Sequence, residues 1–468
     1  MALALELAHR ITSQRFADLP PQAVHWAKVG ILDTVGTTLA GCHEDTACLA
    51  ARALASGAGP SLLFGYSRRV PALEAALVNG AASHALDFDD CNNTIGGHPS
   101  APVLSALFAL ADDIGAGGQD FMTAYVVGFE TETKIGLGVN MYHYTKGWHP
   151  TATLGVFGAV AACASLLRLS AAQTATALAI AASFASGIKA NFGTMMKPLH
   201  VGHCARNGLY AALLARAGYT ANTASAFEHK QGFFQVFNGT GHYDAARILP
   251  AWAHPWDIVD PGIAIKQYPC CGSTHPAIDA LLLLRAHDLQ PAQVARLEAW
   301  IHARWLEHTN RPDPQSALDA KFSLQYCLAR ALLDRQVIIE HFEGDTYTDA
   351  AIRRLLPRIR VAPYTTAQFP ADNHFGAEVR VTLGDGTVLT QKVDQPFGRT
   401  SRNPLPPAQL KEKFVHCARR ALPETRVTAL YDAIQRLEQS HNVREVIALT
   451  ASLEPHSDRP ARVVAAQA

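Results

Sequence analysis

The sequence has 468 residues, 49% of them hydrophobic, and its 40 basic side chains balance its 40 acidic ones. A chain of this length forms roughly two to three domains, or one large domain with an insertion. Because no basic or acidic run stands out, the charge pattern argues against binding to nucleic acid or to a membrane surface. The nine cysteines are scattered and the N-terminus does not read as a secretory signal, so we expect a reduced, cytoplasmic protein.

The first half of the chain carries helical periodicity. The spacing of apolar residues predicts two helices within residues 1–58, the second running from the Pro20–Pro21 pair to Gly41. The charge-free segment Thr151–Leu167 is rich in Ala and Gly, which predicts a helix buried on all sides and not a membrane span. Further helices are predicted at 71–87, at 100–114 with Ser100 as N-cap, and at 120–138, 171–185 and 205–218.

The pattern changes after residue 250. Alternating apolar and polar residues predict a hairpin at 377–393 around Gly384-Asp385-Gly386, and β-rich segments at 295–304 and 352–361. We expect a mainly α fold in which residues 1–264 plus 402–468 form a large helical domain and residues 265–401 form an inserted α+β domain. The remaining predicted elements are helices at 277–287, 322–334, 408–421 and 425–438, with disorder beyond Pro455.

The residues suited to chemistry fall in four polar stretches, which we expect to meet in a cleft at the domain junction. The first stretch, from His84 to Pro99, places three carboxylates between His84 and His98, at a helix end and in the loop beyond it. The other stretches are a loop at 141–150 with Tyr144 and His149, a weakly charged segment at 189–203 with Lys197, and a turn at 266–276 with Lys266, Cys271 and His275.

These residue types indicate proton transfer on an anionic substrate. Histidine, tyrosine and lysine move protons to and from carbon, and two lysines beside several histidines suit a substrate with more than one carboxylate. The implied reaction is proton abstraction or delivery α to a carboxylate, with cationic groups stabilising the developing charge. The sequence shows no phosphate loop, dinucleotide fingerprint, metal-ligand spacing or nucleophile elbow. A buried structural network or a non-catalytic carboxylate-binding protein would use many of the same residues.

Six motifs are spread over nearly the whole chain: His84-x-x-Asp-Phe-Asp-Asp, Gly97-His-Pro-Ser, Gly147-Trp-His-Pro-Thr, Asn191-Phe-Gly-Thr-Met-x-Lys-Pro-Leu-His, Lys266-x-x-Pro-Cys and Phe322-Ser-x-x-Tyr. As a set they resemble the MmgE/PrpD family, which includes 2-methylcitrate dehydratase, cis-aconitate decarboxylase and iminodisuccinate epimerase. The resemblance implies a large helical domain built from both chain ends, a smaller α+β lid, a homodimer, and catalysis without a metal or organic cofactor.

The resemblance also implies roles for single residues. His98 would be the leading acid or base at carbon, and Asp87 would belong to the same catalytic pocket. Cys91 stands where the decarboxylases of the family carry Thr, and Cys271 stands where they carry His; both are expected to line the substrate site. The remaining assignments are Lys197 and Lys266 as carboxylate-binding cations, His149 and Tyr326 as groups that orient the substrate, and His275 as a further substrate contact.

Two reactions fit these residues. The first is a lyase that removes water or CO2 from a small di- or tricarboxylic acid. The second is an epimerase of a dicarboxylic imino or amino acid, in which Tyr144 and Lys197 form a two-base pair on opposite faces of the carbon. Both begin with the same proton transfer, and they differ in whether a leaving group lies β to the carbanion. A non-catalytic carboxylate-binding protein of the same fold is the third possibility.

Overall fold

The computed structural model of the chain describes residues 2–54, 57–286 and 289–452. The disorder predicted beyond Pro455 lies outside the described residues, and so does the last residue of the helix predicted at 277–287. Within these ranges, no helix combines the length and the apolar character that crossing a membrane requires.

Helices build most of the chain up to residue 250, as periodicity predicted, and a short antiparallel pair of strands interrupts them. The charge-free segment forms two consecutive helices that are almost entirely buried, which confirms its prediction as core. The elements are α1 (Leu3–Ser13), α2 (Pro21–Gly41), α3 (Asp45–Leu54), β1 (Ser61–Leu62), β2 (Arg69–Val70), α4 (Ala72–His84), α5 (Ser100–Ile114), α6 (Gly118–Lys146), α7 (Pro150–Thr153), α8 (Gly155–Leu166), α9 (Ala171–Phe184), α10 (Met196–Arg216) and α11 (Phe233–Phe237).

The crossing of α4 and α10 positions the polar stretches. A Cβ atom on Gly80 would lie 2.6 Å from the Cα of Gly202, and one on Gly202 would lie 2.0 Å from the carbonyl oxygen of Leu77. Only glycine permits backbones to approach this closely. The last turn of α4 therefore lies beside the first turns of α10, so the first polar stretch meets the third.

Several helix boundaries differ from the prediction. Residues 1–58 hold a third helix, α3, in addition to the two that were predicted. Ser100 is not an N-cap: Pro99 takes that position, and the Ser100 hydroxyl instead donates to the carboxylate of Asp90. The predicted helix at 205–218 begins earlier, at Met196, whose N–H is accepted by the Thr194 hydroxyl. Lys197 consequently lies on the first helical turn.

The stretch at 141–150 is mostly helical and not a loop. Helix α6 continues past Gly136 and Gly138 to Lys146, and Gly147 ends it with a left-handed φ of 116°. His143 is buried inside this extension, with Nδ1 2.9 Å from the Asn238 side-chain oxygen and Nε2 2.7 Å from the Thr153 hydroxyl. Tyr144 is therefore placed by a helix.

Residues 275–393 form a mixed unit with its own apolar core. Its sheet has the order β4–β3–β5–β6, with β3 and β4 parallel and the other pairs antiparallel, and the hairpin predicted at 377–393 is confirmed. The segment 352–361 is mostly helical, because the Asp349 side chain caps a helix there, and it becomes a strand only at Ile359. The elements are α12 (His275–Arg285), β3 (Val294–Ile301), α13 (Ala303–Thr309), α14 (Ala317–Lys321), α15 (Leu324–Asp334), α16 (Ala350–Leu355), β4 (Ile359–Pro363), β5 (Ala377–Leu383) and β6 (Val388–Val393).

The chain then returns to the helical core through α17 (Pro407–Ala418), α18 (Glu424–Gln435) and α19 (Arg444–Ala448). Helix α17 packs on α2, where Lys413 lies 2.6 Å from the buried carboxylate of Asp33. Both ends of the described chain thus contribute to one helical core.

Candidate active site

The turn that follows α4 is held in an uncommon conformation. Asp87 has a φ of 53°, a left-handed value that a residue with a side chain adopts at a cost. Lysines from three distant segments donate hydrogen bonds to successive carbonyls of this turn: Lys321 to Leu86, Lys266 to Asp87, and Lys413 to Phe88. These bonds tie the turn to the α+β unit and to the C-terminal helices, and they fix the direction of the Asp87 side chain.

The Asp87 carboxylate joins two of the predicted lysines. Its Oδ1 lies 2.5 Å from the Nζ of Lys197, and its Oδ2 lies 3.0 Å from the Nζ of Lys266. Burial alone would raise the pKa of Asp87, but the two lysines hold it well below its usual value. Burial lowers the pKa of Lys266, and attraction to Asp87 more than reverses that effect, so Lys266 stays charged. One carboxylate therefore keeps two cations fixed at the centre of the cluster.

His98 lies on the other side of this ion-pair group. Its Nε2 is 3.6 Å from Asp87 Oδ1, and its Nδ1 is 3.2 Å from Asp89 Oδ2. Burial opposes charge on the ring, but Asp89 and then Cys91 raise the pKa of His98 well above its usual value. The imidazole is consequently protonated at neutral pH. A proton donor thus stands beside the paired lysines.

A row of imidazoles leads away from His98 into the protein. The ring of His84 lies 4.4 Å from that of His98, and His149 follows at 5.8 Å and His200 at 5.5 Å between successive ring centroids. Burial lowers the pKa of His84 to about 4 and that of His149 well below its usual value, so both rings are neutral. His149 is therefore brought to the cluster as predicted, but it lies behind His84 and next to His200.

His84, Asp89 and His98 are close enough to bind a metal ion, with candidate ligand atoms within 4.8 Å of one another. The sequence shows no metal-ligand spacing for these three residues, because they meet only where the chain turns. Both Nδ1 atoms already face the Asp89 carboxylate, at 2.9 Å from His84 and 3.2 Å from His98. A cation would have to replace the protons of those two contacts. We therefore describe the group as a hydrogen-bonded array that keeps His98 charged.

The two predicted cysteines each contact a histidine. The Sγ of Cys91 lies 3.8 Å from the Nδ1 of His98, and the Sγ of Cys271 lies 3.5 Å from the Nε2 of His308. Burial would raise the pKa of both thiols, but the neighbouring imidazoles and Lys266 lower it. The structure therefore places polar, ionisable sulfur on both sides of Lys266.

Tyr144 and His275 lie at the edge of the cluster. Lys189 sits over the Tyr144 ring, 3.5 Å from its centroid, and burial together with nearby Cys271 and Asp87 raises the pKa of the tyrosine to about 12. His275 lies 3.3 Å from the carbonyl of Cys270 and lines a cavity of about 10 Å³ together with Lys266.

Tyr326 is not brought to this cluster. It is fully buried in the core of the α+β unit, where its hydroxyl donates to the carbonyl of His341 and accepts from Arg330. Its place in α15 turns the side chain inward, away from the substrate role that the resemblance implied.

Sequence reasoning missed several residues of the site. His84 and Asp89 both belong to the first polar stretch. Their separation by one helical turn and a bend is the sequence signal that could have predicted their contact. His308 and Arg399 lie in polar segments that carry no recognisable motif, and only the fold brings them near Cys271 and Lys266. A larger cavity of about 590 Å³ lies elsewhere, between α9 and residues 219–237, but the described residues that line it include no lysine, arginine, aspartate or glutamate.

Comparison with known proteins points to one family. The profile of the MmgE/PrpD N-terminal domain matches residues 5–246, and that of the MmgE/PrpD C-terminal domain matches residues 268–439. The chain is 30% identical over 445 residues to a cis-aconitate decarboxylase of Homo sapiens, covering 92% of this chain and 91% of the relative. It is 27% identical over 472 residues to a cis-aconitate decarboxylase of Aspergillus terreus, covering 95% of each. A cis-aconitate decarboxylase of Mus musculus is 30% identical over 380 residues, covering 79% of this chain and 76% of the relative.

Proposed function

This chain belongs to the MmgE/PrpD family, and on that premise we propose that it is a lyase that decarboxylates a small di- or tricarboxylic acid. The observation that carries the proposal is the position of His98, whose Nδ1 lies 3.2 Å from Asp89 and whose Nε2 lies 3.6 Å from Asp87, beside the Asp87–Lys197–Lys266 group. A decarboxylase needs cations to hold carboxylates and an acid to protonate the carbon that CO2 leaves. The named relatives are decarboxylases, which supports the same reaction class.

The lysines supply the electrostatic part of the reaction. Lys197 and Lys266 are buried or nearly so, and their only carboxylate partner among the described residues is Asp87. An incoming substrate carboxylate would share these cations with Asp87. Fixed charges in a poorly hydrated site stabilise a developing carbanion more strongly than water does, because they need no reorganisation.

His98 supplies the proton. When the bond between the substrate carbon and its carboxylate breaks, CO2 leaves and the electron pair stays on the carbon, delocalised into a neighbouring unsaturated or carboxylate group. The His98 imidazolium then transfers its proton to that carbon and becomes neutral, and solvent reprotonates it. Asp89 holds the ring in place through Nδ1, so Nε2 is the nitrogen that delivers the proton.

The two-base epimerase is supported less well. Tyr144 has a pKa of about 12, and a phenol of that kind gives up its proton with difficulty. Lys197, its proposed partner, contacts the Asp87 carboxylate at 2.5 Å as a cationic donor. Neither group offers a free base to a substrate carbon. In a dehydratase, the protonated form of His98 that Asp89 stabilises would protonate the leaving hydroxyl, and another group would have to remove the α-proton.

The proposal is tested by proton NMR in D2O with cis-aconitate, citrate, 2-methylcitrate and aspartate-derived imino acids. Release of CO2 with one deuterium on the product carbon supports a decarboxylase and His98 as a solvent-exchanged donor. Loss of water would indicate a dehydratase. Incorporation of deuterium at Cα with an unchanged carbon skeleton would indicate an epimerase. Either result contradicts the proposed reaction. Binding without any conversion would favour the non-catalytic alternative.

A further inference from the structure

A loop from the end of the α+β unit is attached beside Lys266. Ala264 exchanges two backbone hydrogen bonds of 2.7 Å with Cys91, and the N–H of Ile265 donates to the carbonyl of Gly398 at 2.7 Å. A Cβ atom on Gly398 would lie 2.3 Å from the carbonyl oxygen of Ile265, so only glycine permits this approach. The pairing brings three backbone segments side by side and places Arg399 next to Lys266 and Cys91.

Arg399 is a cation without an anionic partner. Its guanidinium stacks on the ring of Phe375, 4.2 Å from the centroid, and its Nε is buried with no hydrogen-bond acceptor among the described residues. No described carboxylate lies within ion-pair distance of Arg399. Burial lowers the pKa of its guanidinium, and the nearby Cys91 and Cys271 side chains act in the opposite direction. A buried N–H donor without an acceptor is costly, so Nε of Arg399 would be satisfied by water or by a bound anion.

The donors of Arg399 face Lys266 across a gap. A Cβ atom on Gly272 would lie 3.9 Å from Nη1 of Arg399 and 4.0 Å from Cε of Lys266, so Gly272 borders the space between the two cations. The cavity there, about 10 Å³ and also lined by Cys91 and His275, has the size of one water molecule. Asp87 holds Lys266 in place, so admitting a carboxylate requires the Arg399 side chain to move, and no ion pair among the described residues restrains it.

We infer that Arg399 and Lys266 form a second carboxylate subsite, separate from the place beside His98 where carbon is protonated. This inference rests on the proposed function and assigns Arg399 as a residue that selects substrates with a second carboxylate. One carboxylate is held between Arg399 and Lys266, and the reacting carbon lies toward His98 and Lys197. The arginine guanidinium donates two parallel N–H···O bonds to a carboxylate, which fixes the orientation of the carboxylate as well as balancing its charge.

The test uses tricarballylate, a saturated tricarboxylate with no leaving group in conjugation, as a binding probe for the full chain in calorimetry. Replacing Arg399 with Met removes the charged donors, and the affinity is expected to fall about 10- to 100-fold. Arg399→Lys keeps the charge without the fork and should bind with intermediate affinity. Arg402→Met is the matched control, because Arg402 lies in the same loop, is 80% exposed and pairs with Asp260.

A second variant tests the gap without removing a charge. Gly272→Val adds a branched side chain between Arg399 and Lys266 and should also weaken the binding of tricarballylate. Butyrate has a single carboxylate, so its affinity should change less in both Gly272→Val and Arg399→Met. Unchanged tricarballylate affinity in Arg399→Met, or no measurable affinity in the unmodified protein, would overturn the inference.

Failure of the subsite and failure of the proposed function are distinguishable. If the chain releases CO2 from a substrate but Arg399→Met converts it with unchanged KM, the subsite is wrong and the decarboxylase stands. If tricarballylate binds through Arg399 but no acid is converted, the subsite stands and the reaction is wrong.

Discussion

The carboxylate of Asp87 lies 2.5 Å from the ammonium of Lys197, although 110 residues separate them in the chain. Asp87 projects from a turn with left-handed backbone, and Lys197 projects from the first turn of α10. The contact exists because glycines let α4 and α10 cross backbone to backbone. The ion pair therefore depends on the packing of two helices, and it holds the lysine where a substrate carboxylate can share it.

Replacing Lys197 with Gln should lower kcat/KM by about 10²- to 10³-fold, because one fixed cation is lost from the charge that stabilises the carbanion. The comparison is made by steady-state assay of CO2 release, with circular dichroism to check folding. Lys230→Gln serves as the control, since Lys230 is exposed and its neighbours His229 and Gln231 line the separate cavity of about 590 Å³. A Lys197→Gln enzyme with the activity of the control would remove the lysine from the mechanism.

The protonation state of His98 should appear in the pH dependence. Burial lowers its pKa, but Asp89 and, to a smaller extent, Cys91 raise it well above the usual value. A proton donor works below its pKa, so kcat/KM should fall as pH rises through that value. Asp89→Asn should move this alkaline limb to lower pH, and Cys91→Ser should move it less. If activity instead rises with pH through the same range, His98 acts as a base and the decarboxylase proposal is wrong.

Local patterns predicted the helical part of the fold well. The charge-free stretch at 151–167 forms α7 and α8, and the alternating stretch at 377–393 forms a hairpin. A helix buried on all sides is apolar throughout, whereas a strand buried on one face alternates apolar and polar residues, so the two patterns can be told apart in the sequence. The prediction failed where tertiary contacts decide the local structure. The polar residues at 141–146 suggested a loop, yet they continue α6, since His143 finds buried partners in Asn238 and Thr153.

The site was predicted in part for the same reason. His98, Asp87 and the two lysines belong to polar stretches that stand out from an apolar background. Arg399 does not, because its chemistry arises from a loop that pairs with Ile265 only in the folded chain. Tyr326 shows the reverse error, since a motif residue on α15 faces the core and donates to a carbonyl there. Side-chain direction within a helix depends on which face packs, and that is a tertiary property.

The buried neutral histidines should make folding stability depend on pH. Burial lowers the pKa of His143 from 6.5 to about 4, so between these values the unfolded chain binds a proton that the folded chain does not. The free energy of unfolding is therefore highest above pH 6.5 and decreases as the pH falls toward 4. This group accounts for a decrease of up to about 3 kcal/mol. Urea unfolding at several pH values should show a shallower decline in His143→Gln than in the unmodified protein. Equal slopes would mean that His143 is solvated in the folded state.

Removal of metal ions should leave activity unchanged. His84 and His98 both direct Nδ1 to Asp89, so their proximity is explained by shared hydrogen bonds. Dialysis against a strong chelator, followed by elemental analysis and assay of CO2 release, checks this expectation. A loss of activity that one equivalent of Zn²⁺ restores would show instead that the three side chains are metal ligands.

His98→Gln tests the proton donor directly. Glutamine can keep a hydrogen bond to Asp89 but cannot deliver a proton at neutral pH, so kcat should fall by about 10²- to 10⁴-fold. The side chain of His98 is 12% exposed, and glutamine retains a polar contact with Asp89, so the melting temperature should change little. Tricarballylate should still bind, because its contacts at Lys266 and Arg399 are intact in this variant. Turnover at the normal rate in His98→Gln would assign the proton to another group, and Cys91, 3.8 Å away, would be the next to replace.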